Sequence, residues 1–251
     1  MKAFGLEWYK LRRKRLFLMV LLLAGVEMAW AFMAASMSIS RIPDQAEWEP
    51  VVAMVASLNG LFAPILVAVC VSRICDMEHK GNTWKLLLSV SAKRGQLYAA
   101  KYGCAFLIMA GVCLAQVLAI AAFGAAHGFG QQVPFVLLAR FFIGTVIAHA
   151  VVIAVQQWLS MAVKNQAFAL CLGMLGGFVG MAADLFPAGI RSLLLWSYYT
   201  GLSPIAQSYA NDNVQFMVRE PAAGVPIMAL LIAAGLVLYA AGSIHVSRQE
   251  V

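Results

Sequence analysis

The sequence predicts an all-α membrane protein. It has six transmembrane helices, an N-terminal amphipathic interfacial helix, and an outer re-entrant or interfacial helix before the last span. Three observations carry this reading. Of 251 residues, 63% are hydrophobic and 12% charged, whereas soluble globular domains are about 45–50% apolar and about 25% charged. Six apolar runs are long enough to cross a bilayer, which takes about 20 helical residues. The basic residues fall heavily on one side of those runs.

The predicted spans are 16–37, 51–72, 98–123, 139–163, 167–186 and 225–246, within one transmembrane domain covering 1–251. Their length and lack of alternation argue for helices over strands. Lys2, Lys10, Arg12, Arg13, Lys14 and Arg15 precede the first span. Arg73, Lys80, Lys85, Lys93, Arg94 and Lys101 surround the second loop, and Lys164 and Arg248 lie on the same side. Only Arg41, Arg140, Arg191 and Arg219 fall opposite. The basic side is the cytoplasm, so both termini are cytoplasmic. The net charge of +7 follows from this asymmetry and gives no reason to invoke nucleic acid. The first run is too long for a signal-peptide core and reads as a retained anchor.

The N-terminal segment places Phe4, Trp8 and Leu11 on one helical side, with Glu7, Lys10 and Lys14 beside it. That pattern suits a helix in the inner headgroup layer. On the outer side, 38–50 is short and acidic (Asp44, Glu47, Glu49). The stretch 191–199 is too short to span, and its Trp196, Tyr198 and Tyr199 favour the headgroup level. It reads as an interfacial or re-entrant helix bounded by Gly201 and Pro204; an ordinary loop over an apolar patch is the other reading.

The loop between spans two and three is the longest cytoplasmic connection. It has room for two short helices joined near Gly81 and Asn82, with Trp84, Leu87 and Leu88 sharing a face. An apolar ridge rimmed by charge marks either a partner surface or a membrane-lying elbow.

This loop resembles the cytoplasmic coupling region of type-2 ABC transporter permeases, especially the lantibiotic-protection and bacitracin-resistance permease families. Their pattern is a glutamate, Gly-Thr-Trp, paired leucines, a Pro-containing turn with Arg, and a Lys opening the third span. The matching positions are Glu78, Gly81, Thr83, Trp84, Leu87, Leu88, Arg94 and Lys101. Asn82 separates Gly81 from Thr83, and Ser-Val-Ser-Ala stands in place of the Pro-containing turn.

The resemblance implies an exporter in the bacterial cytoplasmic membrane, built from two permease and two ABC ATPase subunits. The second permease is either identical or related. The cargo would be an amphiphilic peptide antibiotic, and the medium lipid. Segment 78–88 would enter a groove on the ATPase. ATP and Mg would belong to that partner, with no cofactor on this chain. No GxxxxGK[ST] phosphate loop occurs, so the chain is not itself an ATPase of that type and no catalytic residue is assigned.

Glu27 lies mid-span, where a carboxylate costs about 2.5–3.5 kcal/mol on insertion scales. It is expected to line the substrate path, to pair across the permease interface, or simply to hydrogen-bond between helices. Gln116, Gln156 and Gln157 are further polar candidates for the path, or simply inter-helix hydrogen-bonding groups. Gly173, Gly176, Gly177 and Gly180 form overlapping small-residue patterns that predict tight packing of span five. Asn59, Gly60 and Pro64 interrupt span two, giving a kink that is either a hinge or a fixed bend.

Cys70, Cys75, Cys104, Cys113 and Cys171 form no CxxC pair and read as small buried hydrophobes. The histidines have no metal-binding spacing; a haem held by His149 and His245 lacks any supporting pattern. Two other function classes stay open: an intramembrane enzyme or cofactor-binding subunit, which needs inward acid or histidine clusters, and a non-transporting scaffold or sensor.

Overall fold

A computed structural model describes residues 2–13, 15–42, 46–81, 94–130, 132–163, 165–210 and 213–248. Long apolar helices dominate, as the continuous hydrophobic runs require. In chain order they are α1 (Lys2–Arg13), α2 (Leu16–Arg41), α3 (Trp48–Gly81), α4 (Arg94–Ala126), α5 (Phe135–Ala162) and α6 (Gln166–Met181). Two single-turn helices follow, α7 (Ala188–Arg191) and α8 (Tyr198–Gly201), with 3₁₀ turns at Ala183–Leu185 and Leu195–Ser197. A hairpin of β1 (Ile205–Ala210) and β2 (Asn213–Val218) leads into α9 (Pro221–Arg248).

Five of these helices, α2, α3, α4, α5 and α9, are long and apolar enough to cross a membrane. The fifth predicted span is the shorter apolar helix α6, which stops at Met181 rather than reaching 186. The expected helix over 191–199 is broken into short turns. The hairpin was not anticipated. Its strands pair antiparallel from Ile205 opposite Val218 to Ala210 opposite Asn213. The helix α3 continues through Asn59, Gly60 and Pro64 without a break.

The helices sort their residues by neighbour. On α2 the buried stripe is Leu16, Val20, Ala24, Glu27, Ala31 and Ala35, while Leu18, Leu21, Leu22, Trp30 and Met33 point outward. The stripe repeats every three or four residues, as one helical face must. The outward residues suit a lipid-facing surface.

Between α1 and α2 the chain turns at Arg15, whose φ of 54° is left-handed. The turn lets α1 fold back on the bundle. Its Phe4–Trp8–Leu11 stripe packs against protein rather than headgroups: Leu11 is fully buried, Phe4 lies over Gly103, and Trp8 meets Phe17 edge-on at 5.3 Å.

The closest helix pair is α3 with α6. A Cβ built on Gly60 would stand 2.9 Å from the Gly180 carbonyl oxygen, and one built on Gly177 would stand 2.5 Å from the Leu61 carbonyl oxygen. Gly173 sits equally close against Ala68. Only hydrogen side chains permit such backbone approach. Pro64 deepens the contact. It has no N–H to offer the carbonyl four residues earlier, and that carbonyl, on Gly60, is the one lying against Gly180.

The apolar core has two large layers and a small third cluster of Val151, Leu202 and Leu231. One large layer holds Leu16, Val20, Ala24, Leu66, Cys70 and Met109. The other holds Ala31, Ala35, Val52, Val55, Ile120 and Phe141.

Candidate functional site

The proposed coupling residues Thr83, Trp84, Leu87 and Leu88 lie outside the described residues. Gly81 ends α3 on the near side of this gap, and Glu78 lies in the last turns of α3, its side chain likewise outside the description. The described structure therefore defines the foot of the elbow: the end of α3 and the beginning of α4.

At that foot sits a buried ion pair. Lys101 on α4 donates to Glu7 Oε2 on α1 at 2.9 Å, and both side chains are 0% exposed. Lys101 Nζ also donates to the Ile74 carbonyl oxygen on α3 at 3.0 Å. Lys10 donates to the other Glu7 oxygen at 2.8 Å. One ammonium thus ties three helices together. From Ile74 to Gly81, and from Arg94 to Lys101, each helix rises about 10 Å, so the node spans the elbow's two stems at one level. Burial pushes the Glu7 carboxyl up, but Lys101 and Lys10 outweigh it and hold it below its ordinary value. Sequence reasoning placed Lys101 in the loop motif and Glu7 beside the apolar stripe without joining them. The available signal was Glu7 falling next to Leu11 on the helix.

A second polar group lies deeper. Glu27 on α2, Asn59 on α3 and Gln116 on α4 are all buried. Gln116 Nε2 donates to Glu27 Oε2 at 3.2 Å and to Asn59 Oδ1 at 3.0 Å, and Asn59 Nδ2 returns a bond to Gln116 Oε1 at 3.3 Å. On each helix the polar residue falls between the two apolar layers: Glu27 between Ala24 and Ala31, Asn59 between Ala56 and Ala63, Gln116 between Met109 and Ile120. Asn59 was read as a helix interruption; its place in this layer is new.

The other expected path residues do not join it. Gln156 donates to the Ala169 carbonyl at 2.7 Å, fastening α5 to α6. Gln157 donates to the Tyr98 carbonyl at 2.9 Å, fastening α5 to α4. Both do the work of inter-helix hydrogen bonding. Of the glycine set, Gly173, Gly177 and Gly180 face α3, while Gly176 receives the Trp196 indole. Trp196 and Tyr199 therefore turn toward the bundle. Tyr199 is fully buried, and its hydroxyl lies 2.9 Å from His149 Nδ1. His245 stands instead beside Trp158, with ring centroids 6.1 Å apart. Cys70, Cys75, Cys104 and Cys113 are buried, and Cys171 is exposed.

At the opposite end, arginines brace the hairpin. Arg219 donates to the carbonyls of Thr200 (3.3 Å) and Gly201, and Arg140 donates to the Arg219 carbonyl at 2.7 Å. Arg191 pairs with Asp184 at 2.8 Å and donates to Thr200 Oγ1 at 3.4 Å.

No curated protein matches the sequence. The family model described as "ABC-2 family transporter protein" matches residues 3–180. That stretch is more than half of the chain and contains α1 through almost all of α6, including both polar groups described above. The family's members are integral membrane components of ABC transporters that work with a separate ATPase subunit. The chain belongs to the ABC-2 family of transporter proteins.

Proposed function

We propose that this chain is the permease half of a bacterial ABC exporter that expels an amphiphilic peptide antibiotic such as a lantibiotic, giving self-immunity or resistance. The observation that carries the force-transmitting part is the Glu7–Lys101–Ile74 node. A loop pushed by a partner moves a bundle only if its stems move as a unit, and one buried ammonium holds both stems and α1. The peptide cargo rests on the loop's resemblance to lantibiotic-protection permeases.

In this reading the segment 78–88, with Glu78, Gly81, Thr83, Trp84, Leu87 and Leu88, docks on the ATPase, which binds ATP and Mg. A second permease subunit, identical or related, completes the path. Both termini face the cytoplasm, which requires an even number of crossings. The sixth crossing in this reading is α6, which alone rises about 24 Å against a hydrocarbon core of roughly 30 Å. The re-entrant reading of the outer segment is supported by Tyr199, which is buried, and by Trp196, which is half-buried against Gly176. Glu27 and Gln116, buried at the boundary between the two large core layers, come to line the path when the bundle opens there.

The test is a lantibiotic challenge of cells expressing the chain with its ATPase, together with co-purification. Wild type should raise the tolerated dose and retain the ATPase. Trp84→Asp should lose both. Protection that survives an ATPase unable to hydrolyse ATP would support a scaffold or sensor instead.

A further inference from the structure

The polar layer is built unevenly. Gln116 and Asn59 exchange two hydrogen bonds, and Gln116 gives Glu27 its single donor. Glu27 Oε2 is occupied, while Glu27 Oε1 is buried with no partner among the described residues. An ionised carboxylate distributes charge over both oxygens and is stabilised by several donors or a paired cation. Neither is present. Among the described residues no lysine or arginine pairs with Glu27. Lys101 is engaged with Glu7 about 22 Å away along α4. Arg140 on α5 is turned to the Arg219 carbonyl.

The neighbouring titratable groups are neutral in kind: the Cys113 thiol on α4 and the Tyr199 phenol, which is bonded to His149 on α5. From α3 the layer receives only the Asn59 amide. A metal cation needs several oxygens at once, and Oε1 is the one uncommitted oxygen of the triad. A proton needs one.

We propose that the Glu27 carboxyl is a proton-binding site at the boundary of the two core layers, holding its proton on Oε1 in this conformation. The bound proton removes the charge and leaves Oε2 as a carbonyl that accepts from Gln116. Binding is the simple addition of one hydrogen ion to the carboxylate, and release is its reverse when water reaches Oε1. While protonated, the layer couples α2 to α3 and α4 through neutral bonds. Once ionised, it holds a buried charge with one donor, which favours any rearrangement that hydrates it. The inference is independent of what the transporter carries.

Infrared spectroscopy of the full chain in lipid bilayers tests it. The wild-type minus Glu27→Gln difference at neutral pH should show a carboxylic-acid carbonyl band that shifts down in heavy water. Carboxyl-carbon-13 glutamate in the unsubstituted chain should move the same band, which needs no variant to fold. Gln116→Leu should keep the band and raise its frequency, because the carbonyl loses its donor. Carboxylate bands in place of the acid band, in either the difference or the isotope experiment, would overturn the proposal. So would an acid band that Gln116→Leu leaves unmoved. An export assay plays no part, so failure here leaves the transport reading standing.

Discussion

Lys101→Met isolates the node at the foot of the elbow. Methionine keeps most of the side-chain volume and removes only the ammonium. Removing one partner of a buried ion pair costs about 3–5 kcal/mol, because the other charge is left uncompensated. Glu7 keeps Lys10, which is itself partly exposed, so the lower end, about 3 kcal/mol, is expected. The loss should appear first as detachment of α1, which holds to α4 through this pair and the Phe4–Leu11 stripe. Leu11 is fully buried, so a thiol introduced by Leu11→Cys in a Cys171→Ser background reports that detachment through maleimide labelling. Three kcal/mol corresponds to a rise in labelling rate of about a hundredfold. Adding Glu7→Gln should return part of it, since the uncompensated charge is removed while a buried amide remains. A rise below about twofold in the single variant would show that the pair bears no load. The pH dependence has a fixed sign. The folded Glu7 carboxyl lies below its ordinary 4.5, so its stabilisation is complete above pH 4.5 and is lost as pH falls through the depressed value. In Glu7→Gln that acid-side rise in labelling should vanish.

Three further variants probe the rest of the bundle. Gly180→Val places a branched side chain against the Gly60 carbonyl; it should cost at least the 1–3 kcal/mol typical of overpacking, read as a lower thermal unfolding midpoint in lipid-detergent micelles. Tyr199→Phe leaves His149 without its hydroxyl partner and should cost about 1–3 kcal/mol in the same measurement. Pro64→Ala restores an N–H that can bond the Gly60 carbonyl; hydrogen exchange at the new amide should be slow and thermal stability should hold, and under the proposed export role protection against the proposed cargo should fall. Full protection would make Pro64 a fixed structural feature.

Much of the architecture was legible because lipid imposes a simple rule: a crossing segment must be long, apolar and helical. The ends of the long helices followed from that rule to within several residues. The outer segment obeys no such rule. Tyr199 sets its hydroxyl against His149 and Trp196 packs against Gly176, both distant in sequence, so a headgroup preference could not locate them. The hairpin strands are short and amphiphilic, and periodicity within six residues is a weak signal beside runs of twenty. Glu27 was visible as a costly residue, and its register with Val20, Ala24 and Ala31 already placed it on the small-residue face of α2. Its partners were not visible: nothing in local spacing separates Gln116, which meets Glu27, from Gln156 and Gln157, which hold backbone carbonyls. The coupling residues 83, 84, 87 and 88 lie outside the described residues, so the strongest sequence motif and the best-defined polar contacts meet only at the stems.

Those stems are mechanically unequal. α4 carries both Lys101 at the node and Gln116 in the polar layer, and no proline lies between them. α3 carries Ile74 at the node and Asn59 in the layer, with Pro64 between. Under the proposed coupling role, a displacement entering at the elbow is shared by both helices at the node, because Lys101 holds the Ile74 carbonyl. Above it, α4 transmits the movement along an intact hydrogen-bond ladder, whereas α3 lacks one bond at Gly60 and leans on α6 there instead. The two helices must therefore slide relative to each other by the time they reach the layer. The contacts at that depth are the paired amides of Asn59 and Gln116 and the single bond to Glu27. Amide pairs tolerate little sliding before their geometry fails. The part of the bundle most sensitive to force at the elbow is thus the polar layer between its two large apolar ones.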